Sequence, residues 1–275
     1  IFLGCPKMNH LSSRQTGLSL IELLVALLLG LILLLGISQV FLSSRQTFAT
    51  NNAMSKLREN GRFALEFIAR SARQAGYISP NSTLDIPFPA EPVTCGLGTG
   101  SSNPCAVNGT GSGTSSDRVS FAAEPVIMDG ALRDCAGITV TTNKVIVNSY
   151  FVMAADANNP QPALACSSYN RTDGAWITQN QRLIDGIESL QILYGVNTTG
   201  NSKSVDQFVS ADRVTQWANV LAVRIAVLAN SIDDTSPTPP QRNYYLLDAA
   251  PVTPAAGDRK TRQIFTTTVH FNNVY

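Results

Sequence analysis

"TGLSLIELLVALLLGLILLLGI", Thr16 to Ile37, is the stretch on which the reading of the chain turns. From Leu23 to Ile37 no residue is charged or strongly polar, and apolar character resumes at Val40, Phe41 and Leu42 after Ser38 and Gln39. As a helix, residues 18–42 span roughly 37 Å at about 1.5 Å per residue, enough to cross a hydrocarbon core of about 30 Å. The residues before the run carry Lys7 and Arg14 and no acid. Positive flanks stay cytoplasmic, so the expected orientation is N-terminus in, C-terminal region out. A cleavable signal peptide would close its apolar core with a small-residue cut site; here the core runs on into a patterned helix. Glu22 fits neither that nor a plain anchor, because a carboxylate within a membrane helix is costly unless it is paired or held near the interface.

Composition agrees with one membrane-seeking segment joined to an exported domain. Apolar residues make up 44% of the 275 and charged residues only 14%, below the usual ~25% of a soluble globular domain. The net charge of +1 and the 7% aromatic content supply neither a basic field nor a stacking surface for nucleic acid. Losing Lys7 and Arg14 would take +1 to −1 over residues 18–275.

Beyond the greasy run the helix pattern continues. In "NNAMSKLRENGRFALEFIARSARQAGYIS", Met54, Leu57, Ala64, Leu65, Ile68 and Ala72 recur at spacings of three and four, the mark of one buried helix face. Glu66 and Arg70 stand at i,i+4 in the favourable order. Arg58, Arg62, Arg70 and Arg73 fall on the wetter side, and Gly76 is a stop signal. The expectation is one spine from Leu18 to Ala75: residues 18–42 for membrane or filament core, residues 43–76 laid on a head. With no proline in this span, any flexing falls to Gly30 or Gly36. Residues 77–117, dense in Pro, Gly, Ser and Asn, read as a loop-rich excursion. From 118 to 275 strand signals dominate: "RVSFAAE", "KVIVNSYFVM", "AWITQNQRLI", "IESLQILYGV", "NVLAVRIAVLA", "NYYLLD" and "RQIFTTTVHFN". "SADRVTQWANV" reads as a helical turn with Ser210 as N-cap. The predicted class is α+β, a long N-terminal hydrophobic and amphipathic helix packed on an antiparallel sheet head with long loops.

Gly17, then Leu18-Ser19-Leu20-Ile21-Glu22, then a leucine-rich helix, resembles the class III signal of type IV pilins and pseudopilins. The resemblance implies that a membrane prepilin peptidase cuts between Gly17 and Leu18 and that the new Leu18 amine is methylated. It also implies a role for Glu22: in a filament its carboxylate pairs with the N-terminal amine of a neighbouring subunit, recovering much of the cost of burying both charges. A start at Met8 gives a ten-residue leader ending at Gly17, with residues 1–7 then untranslated. Leu18 in place of the Phe of many major pilins, and the missing helix proline, fit a minor subunit better than a shaft subunit. "ENGRFALEFIARSARQAGY", "LIDGIESLQILYGV", "WANVLAVRIAVL" and "RQIFTTTVHFNN" are similar to blocks of minor pilins of the PilW type. That likeness implies a subunit that primes or caps the pilus in a tip complex. Its expected partners are other minor pilins, the major pilin, the peptidase, the inner-membrane assembly platform and, before assembly, the lipid bilayer. The expected location is the inner membrane with a periplasmic head, then the pilus tip. Two alternatives stand beside it: a minor pseudopilin of a type II secretion system, and a membrane-anchored periplasmic enzyme or adhesin.

Cys95, Cys105, Cys135 and Cys166 form an even set in an exported head, which favours two disulfides. Three connectivities are open, and Cys95–Cys105 with Cys135–Cys166 is preferred. No metal site is expected, because the cysteines lack C-x₂₋₄-C spacing and His270 is the only histidine after the leader. No catalytic residue and no cofactor are expected either. A Ser/His/Asp site would have to use His270, on a terminal strand, and Asp233–Asp234 read as solvated charge.

Overall fold

In a computed structural model, residues 17, 19–78, 105–125, 127–128, 130–141, 143–199 and 204–273 are described. The chain divides into two compact units, residues 1–48 and 49–275. Helix α1, Leu20–Gln74, enters both as one unbroken element of 55 residues.

In the first unit α1 is exposed on every side. Its most apolar window has a mean hydropathy of 3.0 and buries none of its residues, and large side chains from Leu20 to Phe48 stand open. Among the described residues it is the one helix long and apolar enough to cross a membrane. Gly30 and Gly36 lie within it without ending it.

In the second unit α1 turns one face inward. Ala53, Leu57, Gly61, Ala64, Ile68 and Ala72 are buried, and Arg58, Arg62, Arg70 and Arg73 are exposed, as the spacing predicts. Glu66 pairs with Arg73 at 3.2 Å, two turns on, where the sequence suggests Arg70. The helix stops because Gly76 takes φ +77°, a left-handed conformation that glycine adopts without a side-chain penalty. Its N–H leaves the helix ladder for the carbonyl of Ala122 (2.9 Å).

Among the described residues the head carries two antiparallel four-stranded sheets where the sequence suggests one. The strands are β1 (Val119–Ala123), β2 (Ile127–Met128), β3 (Ala131–Leu132), β4 (Ile146–Met153), β5 (Ala163–Asn170), β6 (Ala175–Asp185), β7 (Ile187–Val196), β8 (Gln207–Val209), β9 (Val220–Asn230) and β10 (Arg262–His270). The first sheet has the order β1-β4-β5-β6, the second β10-β9-β7-β8, and β2 with β3 makes a small hairpin. The chain changes sheet at Gly186, between Asp185 and Ile187. Its φ of +82° makes the corner, its N–H meets Pro162 O and its O takes the N–H of Asn230, both at 2.7 Å.

One core joins α1 to both sheets. Leu57, Ala64 and Ile68 pack with Phe121, Tyr150 and Leu164 of the first sheet and Leu190, Ile192 and Ile225 of the second. The Tyr150 hydroxyl, 1% exposed with its residue, meets Ser71 Oγ of the helix at 2.6 Å. Burial pushes the Tyr150 phenol up to about 12, so it stays neutral. "NYYLLD" forms no strand. Tyr244 makes a single bridge to Val252, and with Leu246 it covers Ala226, Leu228 and Ile264 on the far face of the second sheet. "SADRVTQWANV" holds two single 3-10 turns, Ala211–Arg213 and Trp217–Asn219, and the Ser210 side chain makes no cap bond.

Gly61 is required by space. A Cβ there would fall on the ring of Phe265 in β10. Gly61→Ala gains up to ~1 kcal/mol of helix propensity and loses about 1–3 kcal/mol to overpacking. A net loss of stability is expected in chemical denaturation, and a double change with Phe265→Ala should recover part of it.

Candidate functional site

The site that the sequence singles out lies at the start of α1. Ser19 is the residue that begins the helix: its carbonyl accepts from the N–H of Glu22 (3.1 Å) and of Leu23 (3.2 Å). Its hydroxyl also accepts from Glu22 N–H at 3.3 Å. This is N-cap geometry, and Ser19-Leu20-Ile21-Glu22 has the spacing of a capping box. Glu22 therefore lies in the first turn of α1, where the partial positive charge of the helix end favours a carboxylate. The sequence reading missed Ser19, although a serine three residues before a glutamate at the head of an apolar run is its usual signal.

Gly17 stands just outside the helix, exposed. A Cβ on it would meet nothing within 4 Å, so this chain sets no steric demand for glycine there. Leu18 lies outside the described residues. The Glu22 side chain is exposed at the start of the exposed apolar half of α1.

The remaining predicted residues lie in the head. Cys135 and Cys166 are joined in a disulfide, with Cα atoms 6.4 Å apart, tying the segment after β3 to β5. Cys105 is also disulfide-bonded; Cys95, its expected partner, lies outside the described residues. His270 is exposed at the end of β10. Asp233 and Asp234 are exposed and reach Lys56 at 3.7 Å and Arg259 at 3.9 Å. Among the described residues no cluster of His, Cys, Asp or Glu could hold a metal ion.

Asp117, the last residue of the loop-rich excursion, is 2% exposed. Its Oδ1 accepts the N–H of Gly109 at 2.7 Å and its Oδ2 that of Ile192 at 2.6 Å. Its own N–H donates to Leu190 O at 2.9 Å, and neighbouring Ser116 Oγ accepts the N–H of Leu190 at 3.2 Å. Two residues thus occupy the part of the β7 edge that short β8 leaves open, and they hold the loop to the second sheet just before the chain enters the first. No pattern in the sequence marks this acid for burial.

Burial pushes the Asp117 carboxyl from 3.8 up to about 7, against the pull of its two backbone N–H donors. The folded chain then binds a proton that the unfolded chain has released between about pH 4 and pH 7. That contribution to stability is complete below pH 4 and is lost as pH rises through 7. Denaturant titrations at pH 5 and pH 8 should differ on this account by up to a few kcal/mol, and Asp117→Asn should flatten the difference.

Comparisons with known proteins bear on both ends of the chain. A family model described as Type IV Pilus-assembly protein W matches residues 149–273, from within β4 to just past β10. A model of the prokaryotic N-terminal methylation motif matches residues 12–38, which include Gly17, Ser19 and Glu22. No curated protein matches the chain. Among solved structures, the chain is similar to a type IV-like pilin from Thermus thermophilus at 15% identity and a TM-score of 0.44, over 80% of this chain and 98% of that one.

Proposed function

From the likeness of residues 149–273 to a Type IV Pilus-assembly protein W and of residues 12–38 to an N-terminal methylation motif, we propose that this chain is a minor type IV pilin of the PilW type that primes or caps pilus assembly. It is cut after Gly17, methylated at Leu18, held in the inner membrane by residues 18–42 with its head in the periplasm, and then drawn into a tip complex with other minor pilins. It acts by docking, without turnover. One observation carries the reading: a helix whose apolar half is exposed on all sides begins with a capped turn bearing one acid. Such a surface is unstable in water and needs either lipid or the helices of neighbours. Before assembly it has the first, and in a fibre it has the second.

The test is the N-terminal sequence and mass of the protein recovered from membranes and from sheared pili of its own host. A chain beginning at Leu18, with an added methyl group and present in the pili, is expected. A chain that still carries Arg14 to Gly17 would turn the reading into a plain membrane anchor. Recovery at Leu18 only with a secretion system would move the protein to a pseudopilus.

A further inference from the structure

The chain holds two Asn-Gly pairs, Asn60-Gly61 and Asn108-Gly109. Such a pair can react with itself. The glycine nitrogen attacks the asparagine Cγ, an N–Cγ bond forms, the Cγ–Nδ2 bond breaks, and ammonia leaves with the glycine proton. Water then opens the five-membered succinimide, at one carbonyl to give aspartate and at the other to give isoaspartate. Glycine favours the attack because it has no side chain in the way. Asn60-Gly61 lies inside α1, where the helix fixes the backbone, and Asn60 Nδ2 donates to Asp185 O at 3.1 Å. Asn108-Gly109 lies in the loop that Asp117 holds to the second sheet.

There both reacting nitrogens are pinned. The Gly109 N–H, the nucleophile, donates to Oδ1 of buried Asp117 at 2.7 Å. Nδ2 of Asn108, the leaving group, donates to Asp212 Oδ1 at 2.7 Å, although the Asn108 side chain is exposed. On one side Val107 and Arg118 bond to each other, N–H to carbonyl, at 2.9 and 3.2 Å. On the other, Gly111 O accepts from Ser189 Oγ (3.2 Å) and Gln191 Nε2 (3.1 Å) of β7. A Cβ at Gly109 would collide with the carbonyl of Ser115. The docked loop therefore demands the very glycine that makes the pair reactive.

We propose that Asn108-Gly109 is a self-modification site, shut while its loop is docked on β7 and irreversible once the loop has opened and the pair has reacted. Docked, the Gly109 proton is held by Asp117 and the Asn108 amide by Asp212. Opened, the backbone is free to bring Cγ to the Gly109 nitrogen. The product does not dock as before. Aspartate sets a second carboxylate against Asp212 where an amide N–H had been, and like charges repel. Isoaspartate adds one carbon to the main chain between Val107 and Gly109, so the bridge to Arg118 and the bond to Asp117 no longer share one register. The loop is a clasp that opens once.

The experiment incubates the full chain in dilute detergent beside a synthetic peptide of residues 106–112. Both Asn-Gly sites are followed by peptide mass and by enzymatic methylation of isoaspartate. Asn108 should react at least ~100-fold more slowly in the folded chain than in the peptide. Asp117→Ala should raise its rate at least ~10-fold and leave Asn60 unreacted, which marks a local opening. Asp212→Ala, at an exposed carboxylate, should also raise it at least ~10-fold, because a hydrogen bond to a charged group is lost. In the reacted fraction the Ile192 amide should exchange at least ~10-fold faster than in the unreacted one. A folded-chain rate equal to that of the peptide overturns the proposal, as do unchanged rates in both variants. Reaction of Asp117→Ala at Asn60 as well means global unfolding, and Asp212→Ala then decides alone. An Ile192 amide that stays slow after reaction overturns the one-way step.

Discussion

Glu22→Ala is expected to reduce the amount of protein in sheared pili at least ~10-fold while leaving its folding and its cut at Gly17 intact. The head is a compact unit of its own, residues 49–275, and Glu22 is not among the residues that build it. In the fibre the loss is large, because an amine left buried without its partner costs about 3–5 kcal/mol relative to the pair. The capped first turn supplies a competing explanation, since Glu at this position can also stabilise the helix start, by roughly 1 kcal/mol. Glu22→Gln separates the two. Glutamine keeps the capping-box partner of Ser19 and lacks the charge. If Gln behaves like Ala, the ion pair governs incorporation. If Gln restores the wild-type level, the cap does, and the ion-pair account falls. The measurement is the ratio of processed chain in pili to processed chain in membranes.

Gly17→Val should block processing, so that the membrane-bound protein keeps its leader and none reaches the fibre. Gly17 is exposed, and a side chain on it would touch nothing in this chain within 4 Å. Any demand for glycine is therefore imposed by the enzyme that must accommodate the last leader residue. Mass spectrometry of the membrane fraction should show the uncut chain in at least ~10-fold excess over the cut one. A normally cut Gly17→Val chain would mean that the peptidase selects on the apolar run alone.

The spine was legible because two strong signals coincide there. An apolar run too long for a soluble core is followed without a break by a three-and-four spacing. The structure starts the helix at Leu20 and ends it at Gln74, within two residues of the expected bounds. Strands with β-branched and aromatic residues, such as β4, β7, β9 and β10, were equally readable. Strand β5 was not: "ALACSSYN" is built from small residues with weak strand preference, and it is a strand because β4 and β6 pair with it on both sides. The division into two sheets was hidden for a similar reason. It rests on a single corner at Gly186, and one glycine between two strand patterns looks the same whether the chain continues one sheet or crosses to another. At the candidate site the acid stood out by its cost, while the serine that caps the turn did not, because a hydroxyl before an apolar run costs nothing. The burial of Asp117 leaves no local signal, since it is decided by Gly109 and Ile192, residues far apart in the chain.

The way the head is tied to α1 also determines how it responds to force. Bonds from the helix to the head are spread along its length: Thr50 to Ser236 O (3.0 Å), Asn60 to Asp185 O (3.1 Å), Ser71 to Tyr150 (2.6 Å) and Ala75 O from Asn273 (3.3 Å). From Thr50 to Ala75 these anchors cover about 38 Å of helix at ~1.5 Å per residue. A pull along the helix axis loads them together in shear, so rupture requires all of them to yield at once. A sideways pull would open them one after another, like a peeled tape. Tension carried lengthwise is therefore the direction in which this attachment is strongest.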